Sequence, residues 1–274
     1  MPYVTTKDGT ELYVKDWGTG RPVVLIHGWP LNADSWDDVS YALVNAGYRV
    51  IAYDRRGFGR SSQPWSGYDY DTFAEDLAAV MEASAATSAT LVGFSMGGGE
   101  VARYMSRYGG KGVAQAVLVS SVVPGVLKSD ANPDGVPGAM LEQVKAGILK
   151  DRPQFFADFF PGFYGNGTLS KTVSQAVIDW TMQMTMMASL KATVACVDAW
   201  GYTDFTADLP AFAVPTLVIH GNKDATVPIA ASGERAAHGI AGARLLEYDG
   251  APHGIPASHK DRLIEDLLAF LATA

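Results

Sequence analysis

Leu91-Val92-Gly93-Phe94-Ser95-Met96-Gly97-Gly98-Gly99 is the stretch on which the fold turns. An apolar run ends in a glycine-flanked serine, and a helix-like pattern follows. This is the G-x-S-x-G nucleophile elbow. A serine on a sharp strand-to-helix turn must take a strained backbone, and side chains at Gly93 and Gly97 would crowd it. A helix starting after Ser95 also points its positive end at the place where negative charge develops.

Working outward, short β-branched runs bounded by turn residues read as buried strands: Val23–His27, Arg49–Asp54, Thr90–Phe94, Ala114–Ser120, Thr216–His220 and Arg244–Tyr248. Their near-continuous apolarity is what a parallel sheet covered on both faces requires. Helical patterns lie between them at Ser35–Ala46, Asp71–Ser84, Gly98–Tyr108 and Lys260–Leu271. The opening Tyr3–Asp16, with Asp8-Gly9 at its centre, reads as an antiparallel hairpin. This alternation predicts a doubly wound α/β sheet. It breaks between about Val123 and Leu209, where Pro133, Pro137 and Pro153 precede the aromatic cluster Phe155 to Tyr164. Helical stretches are expected only after that cluster, through Trp180 and the methionines 182, 184, 186 and 187 to Leu190. The division expected is a core of residues 1–122 and 210–274 with an inserted helical cap, 123–209.

The 274 residues, 48% of them hydrophobic, suffice for one large core. A net charge of −8 argues against nucleic acid as a partner. No secretory signal pattern and no apolar run of about 18 residues is visible, so a cytoplasmic location without membrane association is expected. Cys196, in the apolar run Ala195-Cys196-Val197, reads as a small core residue; with one cysteine no intrachain disulfide can form.

A serine nucleophile needs a base, and the base needs an orienting acid. Sites on open α/β sheets lie at the carboxyl ends of strands. His253, in the loop after the last strand, fits the base, and Asp224, after the penultimate strand, fits the acid. The order Ser95…Asp224…His253 is the one this architecture uses. Asp198 is the weaker candidate because no strand precedes it. His27 reads as packing and hydrogen-bonding within its own loop, His220 as core or loop packing, and His238 and His259 as solvated. The oxyanion donors expected are the backbone N–H groups of Met96 and Trp29; Pro30 has none to offer. Asp54 to Ser61 reads as a loop braced by Arg–Asp contacts, since it lacks the P-loop lysine and spacing. Walls for a substrate pocket are expected from Phe159, Phe163 and Trp200 on the cap side, and from Trp29, Val122, Val227 and Ile229 on the core side.

Taken together, these segments resemble the α/β-hydrolase superfamily and, within it, the cofactor-free haloperoxidases and bacterial aryl esterases. The resemblance rests on His27-Gly28-Trp29-Pro30, Tyr53 to Pro64, Gly67 to Ala74, Val92 to Tyr104, Ala188 to Thr193 and Ala251-Pro252-His253-Gly254. It implies the α/β-hydrolase fold: a mostly parallel eight-stranded sheet flanked by helices, with an inserted cap. It implies hydrolysis of a small-molecule ester through an acyl-enzyme on Ser95, with His253 as base and Asp224 as its orienter. Hydrogen peroxide replacing water would give a peracid, which oxidises halide with neither metal nor cofactor. Pro30 beside the oxyanion donor is the pattern of the perhydrolase side of the group. A homo-oligomer follows from the resemblance alone. A lactonase or γ-lactamase would use the same three residues. A haloalkane dehalogenase or epoxide hydrolase would need aspartate at 95, and a non-catalytic hydrolase-fold binding protein would typically lack one of the three. A Rossmann-type oxidoreductase would need a third glycine after Gly57-Phe58-Gly59.

Overall fold

A computed structural model of the chain describes residues 2–167 and 171–273. Eight strands form one sheet: β1 (Tyr3–Thr5), β2 (Glu11–Trp17), β3 (Pro22–Ile26), β4 (Arg49–Tyr53), β5 (Ala89–Phe94), β6 (Val113–Val119), β7 (Thr216–Gly221) and β8 (Arg244–Tyr248). Their spatial order is β1-β2-β4-β3-β5-β6-β7-β8. The hairpin β1–β2 pairs Tyr3 with Tyr13 across a turn in which Gly9 has φ +84°, and β2 joins β4 antiparallel. From β4 to β8 every pairing is parallel. Every residue of β3, β5 and β7 is buried, as strands covered on both faces must be.

The flanking helices are α1 (Asp37–Asn45), α2 (Tyr70–Ala83), α3 (Met96–Tyr108), then α4 (Gly138–Phe163), α5 (Gln175–Met186) and α6 (Leu190–Tyr202) between β6 and β7, and finally α7 (Gly233–Gly239), α8 (Ile255–Ser258) and α9 (Lys260–Leu271). α1 packs against α9, and α2 against α3. α2 starts where Asp69 accepts the Thr72 N–H at 2.9 Å. α3 begins at Met96, directly after the serine, two residues earlier than its pattern indicated. The helix expected over Ser35–Ala46 splits into a 3₁₀ turn, Ala33–Trp36, and α1, because Asn32 caps the turn by accepting the Asp34 N–H.

The insertion departs from expectation. Helix begins before the aromatic cluster and runs through it. α4 is two legs broken at Asp151, where φ is −160° and ψ is 88°. Pro153 has no N–H to continue the first leg. Asp151 instead caps the second leg by accepting the Gln154 N–H at 3.1 Å, with Pro153 in the first turn, where its missing donor costs nothing. The legs close on each other: a Cβ at Gly147 would stand 2.6 Å from the Phe155 ring. Among the described residues no helix is long and apolar enough to cross a membrane.

Candidate active site

β5 delivers Ser95 and α3 carries it away. Ser95 has φ +52° and ψ −118°, a left-handed conformation that a side-chain-bearing residue adopts only when its surroundings impose it. The glycines make room. A Cβ at Gly93 would lie 2.5 Å from the Gly97 carbonyl oxygen, and one at Gly97 would lie 2.5 Å from that of Ile26. The Ser95 N–H donates to Val119 of the neighbouring strand at 2.8 Å, which anchors the turn.

The carboxyl ends of β7 and β8 bring two further side chains to this serine. His253 Nε2 lies 2.9 Å from Ser95 Oγ, and His253 Nδ1 lies 2.6 Å from Asp224 Oδ2. An ionised carboxylate can only accept, so Nδ1 carries the ring proton and Nε2 is free to accept from the serine. All three groups are buried, and Ser95 and His253 face the cavity. Rings of Phe94 and Phe163, with centroids 5.3 and 4.9 Å from that of His253, hold the imidazole from two sides. Asp224 Oδ1 accepts the N–H groups of Thr226 and Val227 at 2.9 and 2.8 Å. Burial pushes the Asp224 carboxyl up, but the charge of His253 and hydrogen bonding from His220 and His253 outweigh it, holding the group well below the carboxylate range. Asp198, the rival acid, lies exposed on α6 and pairs with Lys145 at 2.6 Å, away from this chain of bonds.

Two backbone N–H groups remain beside the serine. Among the described residues neither Trp29 nor Met96 spends its N–H on a protein acceptor. The loop bearing Trp29 abuts the serine: a Cβ at Gly28 would stand 3.1 Å from Ser95 Cβ. The Gly28 carbonyl faces inward, accepting from Leu31 N–H at 3.0 Å and from His27 Nδ1 at 2.9 Å. Across a trans peptide the carbonyl and the next N–H point oppositely, so fixing the Gly28 oxygen inward turns the Trp29 N–H the other way. His27 is itself fixed, its Nε2 accepting the Arg55 N–H at 2.9 Å. Complete burial and the adjacent Arg55 charge keep the His27 ring neutral, with its pKa well below the usual value. Arg55 also donates to the His27 carbonyl at 2.7 Å and pairs with Glu100 on α3. The helix that carries Met96 and the loop that carries Trp29 are thereby bolted together. The bond to Gly28 lies within the loop, as sequence reading expected of His27; the contact with Arg55, 28 positions away, was not visible in the sequence.

A cavity of about 240 Å³ opens onto Ser95 and His253. Trp29, Val122, Phe159, Phe163, Trp200 and Val227 line it as expected. Ile229 does not. Pro228, at φ −57° and ψ 131°, leads the chain into the 3₁₀ turn Ile229–Ala231, so the wall ends at Val227. Sequence reading missed Val136 just before α4, Met140, Leu141 and Val144 on its first leg, Phe155 on the second, and Ala225 and Thr226 beside the acid. Trp29 spans floor and wall: its Nε1 donates to the Thr193 carbonyl at 2.9 Å, and its ring centroid lies 5.7 Å from that of Trp200. The loop 54–61 binds no ligand-like cradle but a carboxylate: Asp54 accepts from Arg60 Nε and from Arg60 N–H at 2.7 Å, and from Ala33 N–H at 2.8 Å. Cys196 is fully buried, which raises its thiol far above the usual value. His238 is exposed on α7, and His259 is partly buried before α9.

The chain is similar to known proteins over its full length. Residues 21–168 match the α/β-hydrolase fold family. A non-heme chloroperoxidase of Kitasatospora aureofaciens is 49% identical over 273 residues, covering 99% of each chain. A bifunctional esterase/perhydrolase of Acinetobacter calcoaceticus is 43% identical over 275 residues, again covering 99% of each. The crystal structure of a bromoperoxidase from Bacillus anthracis superposes with a TM-score of 0.95 at 45% identity, covering 98% of this chain and 99% of that one. A serine elbow on an eight-stranded, mostly parallel sheet and full-length likeness to these enzymes lead to one assignment: the chain belongs to the α/β-hydrolase family, in its non-haem haloperoxidase group.

Proposed function

We propose that the protein is a serine esterase acting on small aryl and alkyl esters, with perhydrolase activity that supports halide oxidation. The observation that carries this reading is the continuous path Ser95 Oγ–His253–Asp224, at 2.9 and 2.6 Å, opening onto an apolar cavity. The named activities of the relatives above support it. Ser95 attacks the ester carbonyl while His253 Nε2 takes the hydroxyl proton, and Asp224 stabilises the imidazolium that results. The Trp29 and Met96 N–H groups receive the developing oxyanion. His253 returns its proton to the departing alcohol or phenol, leaving Ser95 acylated. A second nucleophile, deprotonated by His253, then releases the acyl group. Water yields a carboxylic acid and hydrogen peroxide yields a peracid, which oxidises halide away from the protein. Pro30 beside the Trp29 donor goes with the peroxide-using branch.

In this reading residues 123–209 form a cap that supplies most of the apolar wall. A cavity of about 240 Å³ suits a compact acyl or aryl group. A small aromatic ester such as p-nitrophenyl acetate is therefore the probe. Wild type should release p-nitrophenol, and should brominate an added acceptor only when ester or carboxylic acid, peroxide and bromide are all present. Ser95→Ala should lose both activities, by roughly 10⁶-fold in kcat for hydrolysis. Hydrolysis surviving in Ser95→Ala would overturn the proposal.

A further inference from the structure

His220 is the penultimate residue of β7 and does not line the cavity at Ser95, and by sequence alone it is a packing residue. Its surroundings are not those of an inert ring. It is completely buried. Its Nε2 lies 2.9 Å from the Val227 carbonyl oxygen and 3.3 Å from Asp224 Oδ2. A carbonyl can only accept, so Nε2 carries the proton. The Val227 N–H in turn donates to Asp224 Oδ1. Three groups close a ring of contacts: the carboxylate holds the Val227 amide, the imidazole holds the Val227 carbonyl, and the imidazole N–H lies alongside the carboxylate. On the far side a Cβ at Gly233 would stand 2.6 Å from His220 Nδ1, and among the described residues that nitrogen has no hydrogen-bond partner. The ring is thus pressed from α7 toward the Asp224 loop, with its one donor aimed there.

We propose that His220 is a positioning residue for the acid of the catalytic chain, so that Asp224 is shared between two imidazoles rather than serving His253 alone. The proposal rests on the reading of Ser95, His253 and Asp224 as the reacting set. Sharing has two consequences. The turn from Asp224 to Val227 is held closed, which fixes both the carboxylate and the cavity wall at Val227. The second N–H also draws on the electron density of Oδ2, so less is available to stabilise a proton on His253. Among the described residues, no Lys or Arg pairs with this carboxylate, whose side-chain partners are the two imidazoles. Glu247 and Asp249, from β8 and the loop after it, are tied to Asn222 at the surface, and Arg235 of α7 donates to the Ala231 carbonyl.

The sign follows. kcat/KM for an ester rises with pH as His253 becomes neutral and able to act as base. Without the competing N–H, Asp224 stabilises the charged imidazole more strongly, so the acid limb should move to higher pH. The test is the pH profile of p-nitrophenyl acetate hydrolysis by wild type, His220→Leu, His220→Gln and Gly233→Ala. His220→Leu removes the donor, and its acid limb should rise by about 0.5–1 pH unit while kcat falls several-fold. His220→Gln keeps an N–H and should bring the limb back toward wild type. Gly233→Ala displaces the ring without removing it and should shift the limb in the same direction by less; it also serves if His220→Leu does not fold. An unmoved limb in folded His220→Leu or in Gly233→Ala, with or without a fall in kcat, would reduce His220 to packing. A limb that moves to lower pH would show that the imidazole holds Asp224 in place without competing for it, and would overturn the shared-carboxylate claim. Ser95→Ala, run in parallel, separates the readings: if it stays active, the reacting set itself is wrong.

Discussion

Ser95 can hold its φ of +52° because Gly93 and Gly97 carry no Cβ to clash with the tight turn. The cost of relieving that arrangement can be read from the contacts. Gly93→Ala places a methyl 2.5 Å from the Gly97 oxygen and 2.6 Å from its carbon, both backbone atoms that cannot swing aside. The variant should lose about 1–3 kcal/mol of stability by denaturant titration. Its esterase rate should fall as well, because α3 must shift relative to the serine. Asp224 gives a pH prediction. Its carboxyl titrates below the ordinary aspartate value of 3.8 in the folded protein, so its contribution to stability is complete above that value and is lost as pH falls through the folded one. Urea unfolding compared just above and well below pH 3.8 should show wild type losing more stability on acidification than Asp224→Asn. Equal losses would mean the carboxylate is not held low. Ser95, Asp224 and His253 could be picked out of the chain because each follows a strand in a fixed order. His27 and His220 could not, because their value lies in contacts with Gly28, Arg55 and Val227 that only the folded loops create.

At the scale of elements, the central strands announce themselves by composition, while α4 does not. Its start signal, Asp151 with Pro153 and Gln154, was hidden by the prolines and phenylalanines around it. The break at Asp151 is what sets Met140 to Val144 and Phe155 to Phe163 against one cavity, and a periodicity argument on a straight helix could not place both legs. The link between β4, the Trp29 loop and α3 runs through the buried pair Arg55–Glu100, both fully inaccessible, with Tyr53 also bonded to Glu100. Glu100→Ala strands the Arg55 charge in the core. It should cost about 3–5 kcal/mol in equilibrium unfolding. If the cost is below about 1 kcal/mol, water reaches Arg55 and the pair is not the bolt described here.

Across the whole molecule, the sheet order brings three distant segments to one edge. β5, β6, β7 and β8 are successive parallel neighbours, so the loops that leave β5, β7 and β8 emerge at the same end. Residues separated by 158 positions in the chain then meet at 2.9 Å. The helices between β6 and β7 add the apolar wall without interrupting this order. The central claim is that this arrangement acylates Ser95, and it is tested most directly by mass spectrometry. Wild type mixed with p-nitrophenyl acetate and quenched in acid within the first turnovers should carry one acetyl group, mapped by proteolysis to the peptide containing Ser95, and Ser95→Ala should carry none. An acetyl group on another residue, or p-nitrophenol release by Ser95→Ala at the wild-type rate, would contradict the account.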